Sequence, residues 1–188
     1  MSELPDELHL RDLGPRFLDA LGRRSRGDVD GALEGFREIL RAEPRLAEPR
    51  LEIARIELEL GRLEDAEANT REALRILESG GQWTDDLPEN VVLAVGYALL
   101  GEILKERASS DDVVFGGEDA FRALIEQSRA AYQRAYALDP SDPTAWLNTL
   151  ELGSRPDDEA EDDDALPAER RARTEMTGDI ADEDADEG

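Results

Sequence analysis

The chain has 188 residues, with 47 acidic and 22 basic side chains and a formal net charge of −25. It contains no cysteine, which excludes disulfides, thiol nucleophiles and cysteine metal sites. Fifteen acids and three arginines lie in residues 156–188, where large apolar side chains are few. Because a segment of this composition buries too little surface to offset the entropy of ordering, we predict a disordered acidic tail over 156–188.

Residues 1–14 are predicted to form a lead-in segment that Gly14 and Pro15 separate from the first helix. The leucines expected to pack on the first repeat are Leu8, Leu10 and Leu13. The segment has neither a basic start nor a long apolar run, so we expect no signal peptide. No stretch of the chain is apolar enough to span a bilayer. These features favour a cytoplasmic protein with no membrane partner.

A first helix is predicted from Pro15 to Arg26. Its apolar stripe consists of Phe17, Leu18, Ala20 and Leu21. The sequence of this helix is a poor match to the repeat pattern that begins after it. Such a departure is expected for a terminal helix, which has a neighbour on one side only.

The stretch from Gly27 to Leu77 repeats itself. The turn sequence GDVDGAL at Gly27 returns as GRLEDAE at Gly61, 34 residues later, and each turn opens a helix with helical apolar spacing. The first stripe is Ala32, Leu33, Phe36, Ile39 and Leu40, and the second is Ala66, Ala73, Leu74 and Leu77. Between them, after Pro44, a further helix ends at Gly61. Its apolar residues are Leu51, Ile53, Ala54, Ile56, Leu58 and Leu60.

Three helices are predicted beyond residue 87. One runs from Pro88 to Arg107 and is apolar on nearly every side, which places it in the middle of the structure. Residues 108–117 are an insertion in place of a tight turn, and a long helix follows over 118–138. The apolar face of that long helix is Phe121, Leu124, Ile125, Ser128, Tyr132, Ala135 and Leu138. A last helix over 143–153 carries Trp146, Leu147, Leu150 and Leu152, with Asn148 and Glu151 on its polar face.

A period of 34 residues with two helices per unit resembles the tetratricopeptide repeat (TPR) family. The residues that carry the resemblance are Gly27, Ala32, Phe36, Pro44, Ala54, Gly61, Ala66, Ala73, Tyr97, Gly101, Tyr132, Ala135, Pro140 and Trp146. It implies an all-α fold, a right-handed α-solenoid of about three helix pairs closed by a capping helix. The implied domain covers residues 15–155. Its units span 15–46, 47–80 and 88–140, with the capping helix over 143–153.

No motif of an enzyme is present, since the chain lacks a glycine-rich phosphate loop, a GxSxG elbow and an HExxH motif. The sole histidine, His9, is expected to be an exposed surface residue. Asp28 and Asp30 begin like a calcium loop, but Ala32 and Leu33 stand where an oxygen ligand and a turn glycine belong. We therefore expect no catalytic residue, no cofactor and no metal site.

The N-terminal quarter is locally basic through Arg11, Arg16, Arg23, Arg24 and Arg26. Neutralising phosphates is the main source of affinity for nucleic acid. However, the chain as a whole repels polyanions and offers no interleaved aromatic side chains for base stacking. We expect these arginines to be solvated or paired with acids, and we expect no nucleic-acid partner.

In the family that the chain resembles, the first helices of the pairs line a concave surface that takes an extended peptide or a partner's helix. When the lining positions of these helices are transferred to this chain, the resemblance implies a groove lined by Phe17, Leu21, Arg24, Leu51, Arg55, Leu58, Glu59, Ala98, Glu102 and Lys105. Assignment of some of these residues to the core is an equally good interpretation. Family members that clamp a C-terminal carboxylate use Lys, Asn and Arg on these helices. Here the corresponding positions are Phe17, Leu21, Glu52, Val95 and Leu99, which does not support that function.

The functional prediction is a non-catalytic scaffold or adaptor that binds a protein or peptide partner in this groove while the acidic tail modulates access. Two alternatives stay open. One is a chaperone for a secreted or aggregation-prone client, a role of small three-repeat members of the family in bacteria. The other is a charge-based binder that engages basic proteins through the tail. The sequence leaves the oligomeric state open.

Overall fold

The computed structural model describes residues 7–81, 87–114 and 116–153, and within these ranges the chain is all-α. The helices there are α1 (Glu7–Ser25), α2 (Val29–Ala42), α3 (Glu48–Glu59), α4 (Leu63–Glu78), α5 (Glu89–Ala108), α6 (Asp111–Val114), α7 (Glu118–Leu138) and α8 (Pro143–Gly153). Residues 82–86 and the predicted tail over 156–188 lie outside the described residues.

The helices pack in the predicted pairs. The most extensive contacts within pairs join α1 to α2, α3 to α4 and α5 to α7, while α2 contacts α3 and α4 contacts α5. Successive pairs therefore stack on one another, as expected for the predicted repeat architecture.

Two glycine turns set the start of α2 and α4. Gly27 and Gly61 adopt φ values of +82° and +70°, a left-handed conformation that glycine reaches without Cβ strain. Beside the first turn, the Gly31 N–H donates to Asp28 Oδ1 at 3.0 Å, so Asp28 caps α2. A Cβ at Gly31 would lie 2.2 Å from Asp28 Oδ2. The segment that begins like a calcium loop therefore forms a turn and a helix cap.

The first helix is longer than predicted. It begins at Glu7 and continues through Gly14 and Pro15, so the predicted break at these residues is wrong. A proline ring normally clashes with the Cβ of the preceding residue, but Gly14 has none. Leu13 is 2% exposed among core residues of α2 and α3, and its burial offsets the hydrogen bond that Pro15 cannot donate. The predicted packing of Leu13 is thus confirmed. The side chains of residues 7–11 lie outside the described part.

The apolar stripes predicted for α2, α3 and α4 form most of the core of the first two pairs. The buried members are Ala32, Leu33, Phe36, Ile39, Leu51, Ile53, Ala54, Ile56, Ala66, Ala73, Leu74 and Leu77. The rings of Phe17 and Phe36 pack with centroids 5.4 Å apart and join α1 to α2. Two predicted stripe members are not buried: Leu18 on α1 is 68% exposed, and Leu60 is exposed just beyond the end of α3.

Helix α5 lies between α4 and α7, in agreement with its predicted central place. Its contact with α7 is close at Gly101, where a Cβ would lie 2.9 Å from the Tyr132 ring. Ser128 on α7 donates its hydroxyl to the Gly101 carbonyl at 2.6 Å. The predicted insertion after α5 contains a short helix, α6, that the sequence did not indicate. Phe121, predicted to be buried, is exposed near the start of α7.

Helix α8 has the predicted bounds, but of its predicted apolar face Leu152 alone packs against the core cluster of Tyr132, Ala135 and Ala145. Ala145 and Thr149 face inwards, and the Thr149 hydroxyl donates to the Ala145 carbonyl at 3.0 Å. Trp146, Leu147 and Leu150 are exposed, Leu147 by 60%. The small Ala145 side chain lets α8 approach the Tyr132 cluster on α7. The prediction failed because it assigned the largest apolar side chains to the interface, whereas the available space admits small ones.

Within the described ranges, no helix is long and apolar enough to cross a bilayer.

Candidate functional site

Two adjoining cavities lie along the first helices of the pairs. One has a volume of about 380 Å³ and is lined by residues of α3, α5, α7 and α8 and of the α7–α8 turn. The other has a volume of about 490 Å³ and is lined by residues of α1, α3, α5 and the start of α4 and of the α3–α4 connection. Both are lined by Arg55, Leu99, Glu102 and Glu106, so they form one continuous depression, called the groove below.

Most residues predicted to line the groove do so. They are Arg24, Arg55, Leu58, Glu59, Ala98, Glu102 and Lys105. The other three line neither cavity. Phe17 and Leu21 pack against the core between α1 and α2, and Leu51 is 4% exposed among core residues of α3, α4 and α5. Of the two interpretations left open, the core assignment therefore applies to these three residues.

Arg24 ties α1 to α3 at one end of the groove. Its Nη1 donates to Glu52 Oε2 at 2.6 Å, and its Nη2 hydrogen-bonds with Glu59. Burial alone would lower the pKa of Arg24, but the hydrogen bonds and charges of Glu59 and Glu52 outweigh it and raise that pKa. Another N-terminal arginine, Arg23, pairs with Asp19 at 2.9 Å. These two arginines are thus paired with acids of the helical body.

Lys105 ties α5 to α8 at the other end. Its Nζ donates to Glu151 Oε2 at 2.7 Å. Glu151 lies on the predicted polar face of α8, where it is mostly exposed and lines neither cavity. Asn148, from the same predicted face, lines the groove.

Arg55 lies where the two cavities meet. Its nearest described carboxylate is Glu52, with 3.6 Å between Arg55 Nε and Glu52 Oε1. This Nε is buried and donates no hydrogen bond within the described part of the chain. Since Glu52 already accepts from Arg24, Arg55 is the more weakly engaged of the two arginines.

Acidic side chains gather at the α8 end of the groove. Asp142 Oδ1 accepts from the Thr144 N–H at 2.9 Å and caps α8, and hydrogen bonds from Thr144 lower the pKa of Asp142. Asp139 Oδ1 accepts from the Ser141 N–H at 3.1 Å. Burial, followed by the charges of Glu102, Glu151 and Glu106, raises the pKa of Tyr132 well above its ordinary value.

The sequence analysis missed the wall that α7, α8 and their connection supply. It includes Tyr132, Ala135, Asp139, Asp142 and Ala145. It also missed Glu106, which lies one turn after Glu102 on the same face of α5, so helical spacing alone could have identified it. The α8 wall was missed because its helix was treated as a cap with its small residues outside.

One acid is buried away from the groove. Glu57 on α3 is almost fully buried and accepts a hydrogen bond from Asn69 Nδ2 on α4 at 2.8 Å. Burial raises the pKa of Glu57 although the Asn69 hydrogen bond lowers it. Glu57 lines neither cavity, so it supplies no acid for chemistry in the groove. Within the described residues no group of three or more potential ligands is placed to hold a metal ion.

Stacked helix pairs of 34-residue period, with a groove along their first helices, define the TPR fold. The Arabidopsis OM64 TPR domain superposes with a TM-score of 0.57 at 14% identity, covering 77% of this chain and 96% of that domain. The first TPR domain of Spaghetti (RPAP3), bound to the HSP90 peptide SRMEEVD, has a TM-score of 0.55 at 15% identity, covering 79% and 93%. No protein-family model matches the chain, and no curated protein matches its sequence at a significant level.

Proposed function

We propose that this chain is a non-catalytic interaction module that holds a peptide or a partner helix in the groove. The observation that carries the proposal is the continuity of the groove. Helices α3 and α5 supply side chains to both cavities, while α1 and α8 extend it at its ends. An apolar floor with charged groups beside it is the arrangement by which helical grooves take peptide segments. We expect this role to be performed in the cytoplasm.

The fold is similar to that of a TPR domain that is bound to a peptide, and this similarity supports the proposal. That relative binds a peptide with three acidic residues among its last four. The present chain has an acid, Glu52, and two apolar residues of the groove, Val95 and Leu99, at positions where carboxylate-clamping members carry polar or basic residues. A ligand of different chemistry is therefore expected here.

The acidic segment 156–188 is proposed to tune access to the groove. Its charge acts on a partner only through screened Coulomb forces, which fade beyond about 8 Å at physiological salt. Burial of apolar surface in the groove is much less sensitive to salt. Deleting residues 156–188 should therefore change the salt dependence of binding and preserve binding itself. Loss of all binding on this deletion would favour the alternative in which the tail is the binding element.

A displayed library of random peptides tests the groove directly. Peptides selected on the full chain should lose binding to Val95→Trp, because Val95 is 37% exposed on the groove floor and a larger side chain fills the cavity. The matched control is Leu147→Trp, at an exposed position on α8 that lines neither cavity. Both changes are uncharged, and circular dichroism checks that both variants are folded. Selected peptides that bind Val95→Trp unchanged would contradict the proposal.

A further inference from the structure

Carboxylates outnumber cations along the groove. Its basic side chains are Arg24, Arg55 and Lys105, and its acidic side chains are Glu59, Glu102, Glu106, Asp139 and Asp142. Which ligand the groove attracts depends on the number of these charges and on which of them are already neutralised by ion pairs within the protein.

The basic side chains already have acidic partners. Arg24 bonds to Glu52 and Glu59, and Lys105 bonds to Glu151 at 2.7 Å. Arg55 lies 3.6 Å from Glu52, close enough for its charge to be partly neutralised. An acidic ligand would have to compete with these internal carboxylates for each cation.

The acids at the α8 end are not neutralised in this way. Glu102 and Glu106 form no ion pair within the described part of the chain, and both are exposed to the groove. Asp139 and Asp142 accept hydrogen bonds only from uncharged groups of the α7–α8 turn and of α8. Four negative charges therefore face the same depression without a basic side chain paired to any of them in the described residues.

Small apolar side chains lie between these acids. Ala94, Val95, Ala98, Leu99 and Ala145 line the same cavity. Glu102 and Glu106 are spaced i, i+4 on α5, so their carboxylates lie on one face, one turn apart. A planar guanidinium can bond to two carboxylate oxygens at once, which suits such a pair better than a single point charge does.

We propose that the partner of the groove is a basic amphipathic segment, with arginine side chains on Glu102 and Glu106 and apolar side chains on the alanine-rich floor. This inference rests on the proposed function and specifies the chemistry of its ligand. The net charge of the whole chain speeds the approach of such a partner, while the groove selects it.

The test uses the full chain and two short fluorescent peptides of equal length, one alternating arginine with leucine and the other glutamate with leucine. We expect anisotropy titrations to show binding of the arginine peptide and none of the glutamate peptide. Replacing both groove acids, Glu102→Gln with Glu106→Gln, should weaken binding of the arginine peptide about tenfold or more, because each loses a hydrogen bond between charged groups.

The control removes the same charge elsewhere. Glu38→Gln with Glu126→Gln changes exposed acids on α2 and α7 that do not line the groove. It should bind the arginine peptide nearly as well as the parent. Equal weakening of both variants would mean that only net charge attracts the peptide, and would overturn the inference. Preference for the glutamate peptide, or binding of neither peptide, would also overturn it.

These failures are distinguishable from a failure of the proposed function. If library peptides still depend on Val95 while the arginine peptide does not bind, the groove binds ligands but not basic ones. If no selected peptide depends on Val95, the proposed function itself fails.

Discussion

The two ends of the stack, α1 and α8, differ in which structural features their sequences predict correctly. Helix α1 begins eight residues before the predicted start at Pro15, yet the leucine expected to pack there, Leu13, is buried. Helix α8 has its predicted bounds, yet its large apolar side chains, Trp146 and Leu147 among them, are exposed. Local sequence signals thus placed the ends of α8 correctly and its buried face wrongly.

The difference follows from what each terminal helix meets. Leu13, Phe17 and Leu21 of α1 pack in one cluster with large side chains of α2 and with Ile53 and Ile56 of α3. Helix α8 meets a surface where Tyr132 and Ala135 leave space for a small side chain such as Ala145. A terminal helix buries the face that fits the surface it packs on, and hydrophobic periodicity does not report the shape of that surface.

The largest expected effect on stability comes from a substitution in α1. Leu13→Ala should lower the free energy of unfolding by about 2–5 kcal/mol, because it leaves a cavity in a closed core. The matched change on α8, Leu147→Ala, removes an exposed side chain and should change it by less than about 0.5 kcal/mol. Urea unfolding followed by circular dichroism measures both. Similar losses for the two variants would mean that one of these helices packs differently from the arrangement described.

A second prediction tests the interior of the stack. Ala32 and Ala66 are fully buried where the two helices of a pair pack together. A leucine at either position should overpack the contact and destabilise the protein by about 1–3 kcal/mol. Ala145→Leu on α8 should have a smaller effect, because α8 has a neighbour on one side only and can move outwards. Thermal melting compares the three variants. If Ala32→Leu and Ala66→Leu melt like the parent, the repeat register is wrong.

Most of the fold could be predicted because it depends on local signals. Gly27 and Gly61 mark turns whatever their surroundings, and the stripe of α2 identifies its buried face because that face contacts both α1 and α3. Pro15 was read as a break by the same local logic. The compensation, a preceding glycine together with the burial of Leu13, is partly a tertiary effect.

The candidate groove could be predicted only in part. Residues on α3 and α5 such as Arg55 and Glu102 follow from repeat position, and they line the groove as expected. The wall from α8 depends on which of its faces packs inwards, which is a matter of tertiary fit. Likewise, nothing local distinguishes buried Glu57 from the many exposed acids, because its burial depends on the neighbouring helix α4.

A third prediction concerns the attachment of α8. Asp142→Ala removes the carboxylate that caps this helix and should cost about 0.5–2 kcal/mol of helix stability. Because the folded pKa of Asp142 is lowered, the part of its contribution that depends on charge is present at pH 7 and is lost as the pH falls through that pKa. Trp146 lies 5.4 Å from Tyr136 between ring centroids, so its fluorescence reports on α8 in a Trp83→Phe background.

The expected signal is a shift of Trp146 emission in the Asp142→Ala variant at pH 7 that narrows at low pH, because protonation removes the charge of the Asp142 cap but leaves an oxygen that can accept a hydrogen bond. Asp142→Asn serves as the control, since an asparagine side chain retains the capping oxygen without the charge. It should preserve the parent emission at pH 7. Identical emission of Asp142→Ala and the parent at every pH would show that the cap does not hold α8.

The smallest expected effect compares the ion pairs that tie the two ends to their neighbours. The Arg24–Glu52 pair joins α1 to α3 and is partly buried on both sides, while Glu151 in the Lys105–Glu151 pair is mostly exposed. Double-mutant cycles with Arg24→Met and Glu52→Gln, and with Lys105→Met and Glu151→Gln, give the coupling energy of each pair.

Exposed pairs contribute about 0–1 kcal/mol and are screened by salt, so the coupling at α8 should be small and should fade as salt is added. The coupling at α1 should be larger and less sensitive to salt, because burial limits screening and the guanidinium also bonds to Glu59. A coupling at α8 that equals or exceeds the one at α1 would show that α8 is held as firmly as α1, and the contrast between the two ends would then not extend to their electrostatics.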